Sequence, residues 1–173
     1  GDPTQVAAGR FPVVCLMHGN SFTGWNYQEF ARSISCWGFI VICPTRTRWD
    51  GSNISIRQEC NLNQRYAYEW LLAQDLQPGS PYQGHIDRDN IALMGHSWGG
   101  ATAAWNSMRT PVRAVLLLDI MSLLNNASDY NHNSNGMFNQ ADDYPQIPFL
   151  VVKAADYRFD LPTWEWGGGM PGP

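Results

Sequence analysis

In the run Ile91-Ala92-Leu93-Met94-Gly95-His96-Ser97-Trp98-Gly99-Gly100, a continuous apolar segment meets the pattern Gly-x-Ser-x-Gly and a helix over Gly99–Met108 is expected to follow. A strand that reverses into a helix within so few residues forces Ser97 into a strained backbone conformation and leaves no room for side chains at Gly95 and Gly99. The Ser97 hydroxyl should then stand clear of the sheet, above a helix N-terminus whose partial positive charge favours a developing anion. Ser97 is therefore the candidate nucleophile of an acyl transfer, and strand-turn-helix is the context that gives the short pattern its meaning.

Working outward, Phe11–Met17 is a short Val-containing apolar run that ends at His18-Gly19-Asn20, and Phe39–Cys43 is another that ends at Pro44. Between them Thr23 is placed to cap a helix running to about Trp37, with Trp25, Phe30, Ile34 and Trp37 near one face and Gly38 at its end. A second helix is expected over about Ser55–Gln74, stopped by Gln77-Pro78-Gly79. Strands follow at Asn90–Met94, Val112–Leu118 and Pro148–Val152. Continuously apolar strands alternating with amphipathic helices predict an α/β fold, a mostly parallel sheet with helices on both faces. Asn125–Tyr144, rich in Asn, Asp and Ser, reads as a long excursion at the C-terminal edge of that sheet, and the glycine-rich stretch Trp164–Pro173 as a tail.

Length and composition set the outer limits. The 173 residues, 44% hydrophobic, suit one domain spanning 1–173. A net charge of −4 without a basic run argues against nucleic acid. No apolar stretch approaches the roughly 20 residues a membrane-spanning helix needs. The 4 cysteines are too few and too scattered for a disulfide scaffold or a zinc site. Cys15 and Cys43 fall in predicted buried strands, while Cys36 and Cys60 sit at or near element ends and could pair if the protein is exported, which spacing alone does not show. Two sequons, at Asn53 and Asn126, would be compatible with secretion, although the N-terminus shows no signal-peptide pattern.

Acyl transfer also needs amide donors aimed at the tetrahedral oxyanion, each worth about 3 kcal/mol. The Trp98 N–H, directly after the nucleophile, is one candidate, and the Asn20 N–H in the turn after the first strand is the second. Phe22, Trp25, Trp98 and Met121 would give the pocket apolar walls suited to a small-molecule or lipid-like ester. His18 and His96 read as structural histidines.

Val13–Asn20, Ala31–Pro44, the approach Gly84–Met94 and the Gly-x-Ser-x-Gly turn together resemble α/β-hydrolases of the dienelactone hydrolase and cutinase-like polyester hydrolase type, and the related platelet-activating-factor acetylhydrolases. The likeness extends from about Phe11 to Asp160. It implies an α/β-hydrolase fold and serine-dependent ester hydrolysis without metal or organic cofactor, in which an acid orients a histidine that relays the proton. The cutinase-like branch points to Asp156 as the acid, one residue out of register, and the acetylhydrolase branch to Asp119; Asp160 is a third choice. A Trp that polyester hydrolases often carry near the Met121 position is missing.

One feature departs from that pattern. The four histidines, His18, His85, His96 and His132, all precede Asp156, whereas the family order is Ser, acid, His. Without a base Ser97 is a weak nucleophile. Three expectations stand: a chain truncated at both ends, since the family's two opening strands are also missing before Phe11; His132 folding over Ser97; or a catalytically inactive fold that serves as a binding or scaffold protein. The resemblance favours a secreted or periplasmic location, with the cytoplasm as the alternative.

Overall fold

The computed structural model describes residues 7–46, 56–119 and 147–152. Met121, His132, Asp156, Asp160 and both sequons lie outside them, as do the excursion at 125–144 and the C-terminal stretch. Five strands, β1 (Phe11–Met17), β2 (Ile40–Ile42), β3 (Ile86–His96), β4 (Ala114–Leu118) and β5 (Phe149–Val152), form a sheet in the order β2-β1-β3-β4-β5. Every pairing is parallel. Among the described residues three helices connect them: α1 (Gln28–Ser35), α2 (Ile56–Leu76) and α3 (Trp98–Ser107). This is the α/β architecture expected from the alternation of apolar runs and helices.

The alternating side-chain directions of β1 and β3 divide the core in two. Val13, Cys15, Ile91 and Leu93 face α2 and α3, where they meet Tyr68, Leu71, Ala101 and Ala104. Val14, Leu16 and Met94 face the other way, with Tyr27 and Ile34 packed against them from the α1 side. The change of face follows from strand order: the chain steps outward from β1 to β2, then crosses back over β1 to reach β3. β1 and β3 are thus neighbours whose onward connections leave in opposite directions, and such a switch point opens a crevice at the C-terminal ends of the strands.

Several boundaries differ from those expected. Thr23 opens a 3-10 turn, Gly24–Tyr27, before α1 begins; its N–H donates to Asn26 Oδ1 at 2.8 Å. Gly38, at φ +85, closes α1 in a conformation only glycine adopts cheaply. Trp25 and Trp37 do not join the buried face assigned to them: they are 78% and 84% exposed. The 3-10 turn takes Trp25 out of the 3.6-residue period of α1, and α1 ends at Ser35, so Trp37 lies past the helix. β3 begins at Ile86 rather than Asn90, since the polar Asp87–Asn90 segment bulges out of register while Ile86 stays fully buried with its N–H on Asp75 Oδ1. Cys15 is fully buried, which pushes its thiol pKa up, whereas Cys43 lies just past β2 and is part-exposed. Cys36, exposed, and Cys60, buried in α2, do not pair. No helix among the described residues is long and apolar enough to cross a membrane.

Candidate active site

The C-terminal end of β3, beside β1, carries the Gly-x-Ser-x-Gly turn. Ser97 sits at φ 52, ψ −115 as the residue before α3. For a non-glycine residue this backbone costs on the order of 1–3 kcal/mol and persists only where the surroundings over-determine it. They do so here. The Ser97 N–H donates to Leu118 O at 2.9 Å on β4, and the Ser97 carbonyl accepts from Gly100 and Ala101 N–H at 3.0 and 3.3 Å, which starts the helix. A Cβ on Gly95 would be driven into the Gly99 carbonyl, and one on Gly99 into the carbonyls of Met17 and His18. Strand, helix and the end of β1 therefore approach within backbone contact, and that closeness raises Ser97 at the strand end.

The turn after β1 backs directly onto this serine. A Cβ on Gly19 would lie 2.8 Å from His96 Nδ1 and 3.3 Å from Ser97 Cβ. Gly19 is held on both sides of its peptide. Its N–H donates to Tyr27 Oη at 3.1 Å, and its carbonyl accepts from His18 Nδ1 at 2.7 Å and from Phe22 N–H at 3.3 Å. His18 is buried, and its Nε2 accepts the Arg46 N–H at 2.9 Å. Both ring nitrogens are engaged by a neutral imidazole, and burial lowers its pKa. Asn20, next in the turn, is exposed on the same edge. Trp98 is the first residue of α3, where N–H groups point out along the helix axis.

Asp119 directly follows β4, the strand paired with the Ser97-bearing end of β3 through His96↔Leu118. It too has a left-handed backbone, φ 46, and its N–H donates to Val152 O at 2.6 Å. Its carboxylate thus starts from the same sheet edge as Ser97. Of the apolar residues expected around the site, Phe22 is half-exposed with its ring centroid 6.1 Å from that of His96, while Trp25 turns to solvent. His96 faces α1 and is hydrogen-bonded to Tyr27 Oη at 2.6 Å. His85 is remote, at the N-terminal end of β3, with Nδ1 on Gly9 O at 2.8 Å. Among the described residues no three His, Cys, Asp or Glu side chains gather as a metal site.

Sequence reasoning missed Tyr27, which stands 69 residues from His96 along the chain and carries no motif. It also missed Gln64, a fully buried α2 residue whose Nε2 donates to Cys15 O at 3.1 Å and Met94 O at 3.2 Å. A polar residue on the otherwise apolar stripe of a helix is the one signal that would have drawn attention to Gln64.

Comparison with known proteins adds the family. The chlorophyllase family model matches residues 3–123. Two curated relatives, each named chlorophyllase-1, chloroplastic, one from Citrus sinensis and one from Citrus unshiu, are 34% identical over 116 residues, covering 67% of this chain and 34% of each relative. The chain thus spans about a third of the length of the curated relatives it matches. The matched region contains β1 through β4, the Ser97 turn and Asp119, and on that evidence the chain belongs to the chlorophyllase family, of the α/β-hydrolase type.

Proposed function

We propose that this chain carries the nucleophile and oxyanion site of a serine-dependent carboxylic ester hydrolase. The observation that carries the proposal is Ser97 at φ 52 on the strand-to-helix junction, with the Gly19 turn packed against its Cβ side. Ser97 Oγ attacks the ester carbonyl carbon, the carbonyl π pair moves to oxygen, and the Asn20 and Trp98 N–H groups stabilise that oxyanion. Collapse of the tetrahedral adduct expels the alcohol and leaves an acyl-enzyme, which water then hydrolyses. A histidine takes the Ser97 proton and returns it to the leaving alkoxide.

Asp119 is the acid we favour to orient that histidine, because its backbone leaves β4 beside the Ser97 turn; Asp156 is the alternative. Hydrogen bonding and position argue against His18, whose nitrogens are both engaged, and against His85 at the opposite end of β3. His132, or a histidine of a longer polypeptide, would then supply the relay. The name of the relatives brings forward a chlorophyll ester as substrate, and Phe22 beside the site would suit an apolar ester of that kind.

Hydrolysis of a p-nitrophenyl acyl ester by the complete gene product tests the proposal. Ser97→Ala should lower kcat by roughly three orders of magnitude or more with an unchanged unfolding midpoint, and Asp119→Asn by about two to four orders. Retention of activity in Ser97→Ala would refute the serine mechanism. Full activity in Asp119→Asn would hand the acid role to Asp156.

A further inference from the structure

We propose that Tyr27 is a positioning residue for the oxyanion site, its hydroxyl fixing the spacing between the turn after β1 and the Ser97 turn. This rests on the serine-esterase proposal and extends it to a side chain outside the motif.

One of the two hydrogen-bond directions is fixed by its donor. The Gly19 N–H can only donate, so the Tyr27 oxygen accepts it at 3.1 Å. Tyr27 Oη is also hydrogen-bonded to His96 Nδ1, at 2.6 Å; with the Tyr27 proton donated there, His96 carries its own proton on Nε2. Burial raises the Tyr27 pKa and so keeps the hydroxyl protonated for this role. One oxygen atom therefore joins the residue before Asn20 to the residue before Ser97. Phe22 lies edge-on to both rings, 6.2 Å from Tyr27 and 6.1 Å from His96 between centroids, and shelters the pair.

The consequence for chemistry is geometric. The two proposed oxyanion donors, on Asn20 and Trp98, belong to different turns, and each must lie within about 2.7–3.1 Å of one small anionic oxygen. The Gly19 carbonyl is fixed independently by His18 and Phe22, so the turn keeps its shape. Its distance from the serine is what Tyr27 sets. Loss of that tie should weaken binding of the transition state more than binding of the ester.

The experiment compares wild type, Tyr27→Phe, His96→Leu and the double variant of the complete protein, using a p-nitrophenyl ester and an alkylboronic acid that forms a tetrahedral adduct with serine. Tyr27→Phe is expected to lower kcat by roughly tenfold to a hundredfold with KM within about twofold, and to weaken the boronic acid by the same factor as kcat/KM. His96→Leu should do likewise, and the double variant should lose no more than the larger single loss, since both substitutions cut one connection. Should Tyr27→Phe not fold, His96→Leu carries the same expectation. Boronate affinity and kcat within twofold of wild type in the folded variants, or single losses that multiply in the double variant, would overturn the positioning role. Failure of the parent proposal looks different: Ser97→Ala would then hydrolyse the ester as fast as wild type.

Discussion

On the α2 and α3 side of the sheet, Cys15, Leu93, Val115 and Leu117 interlock with Leu71 and the alanines of α3, and a polar rivet runs through the packing: Asn106 Nδ2 donates to Gln64 Oε1 at 3.0 Å while Gln64 holds two strand carbonyls. On the α1 side, the hydrophobic cluster has only Val14, Leu16 and Met94 as buried members among the described residues, and α1 itself has no buried residue. Here the connections nearest Ser97 are hydrogen bonds made by single side chains, Tyr27 with His96 and His18 Nε2 accepting the Arg46 N–H. Close packing resists displacement in every direction, whereas one hydrogen bond fixes one distance. The first side therefore carries the stability of the sheet, and the second sets the position of the site.

The largest effect that would sharpen this contrast comes from a pair of identical truncations. Leu93 and Leu16 are each 1% exposed, on opposite sides of the sheet. Leu93→Ala should destabilise by about 4 kcal/mol, because interlocked helices cannot collapse into the void, and Leu16→Ala by about 2–3 kcal/mol, because α1 can settle inward. Urea unfolding of both variants gives the comparison directly; equal losses would mean that the α1 side is as tightly built as the other.

A smaller effect is expected from pH. Burial favours neutral His18, so its folded-state pKa lies below its ordinary value of about 6.5. The unfolded chain then binds more protons as pH falls, and the stability His18 contributes is full above about 6.5 and declines below it. The urea midpoint of wild type should decrease from pH 7.5 to pH 5.5 more steeply than that of His18→Asn, and parallel slopes would remove His18 from the account.

The parts of the molecule legible in the sequence were those where local pattern and tertiary demand coincide. Phe11–Met17 and Ile91–Met94 are continuous apolar runs because parallel strands are covered on both faces, and Gly95 and Gly99 flag backbone contact that no other residue permits. The first half of β3 was hidden because Asp87–Asn90 is polar and hydrogen-bonds locally, Asn90 Nδ2 donating to Asp87 Oδ2 at 2.8 Å, so the apolar run began only at its end. Trp25 and Trp37 fell on one helical face because an α-helical period was carried back through a 3-10 turn and forward past Ser35, where α1 ends. Tyr27 had no local signal, its role arising from a contact made only once β1 and β3 lie side by side.

The central claim is that the backbone kink at Ser97 makes its hydroxyl the nucleophile, and the most direct measurement is the intact mass of the complete protein after exposure to a fluorophosphonate. A single adduct that maps to Ser97 and disappears in Ser97→Ala is the expected result. An unmodified protein, or an adduct that survives that substitution, would contradict it.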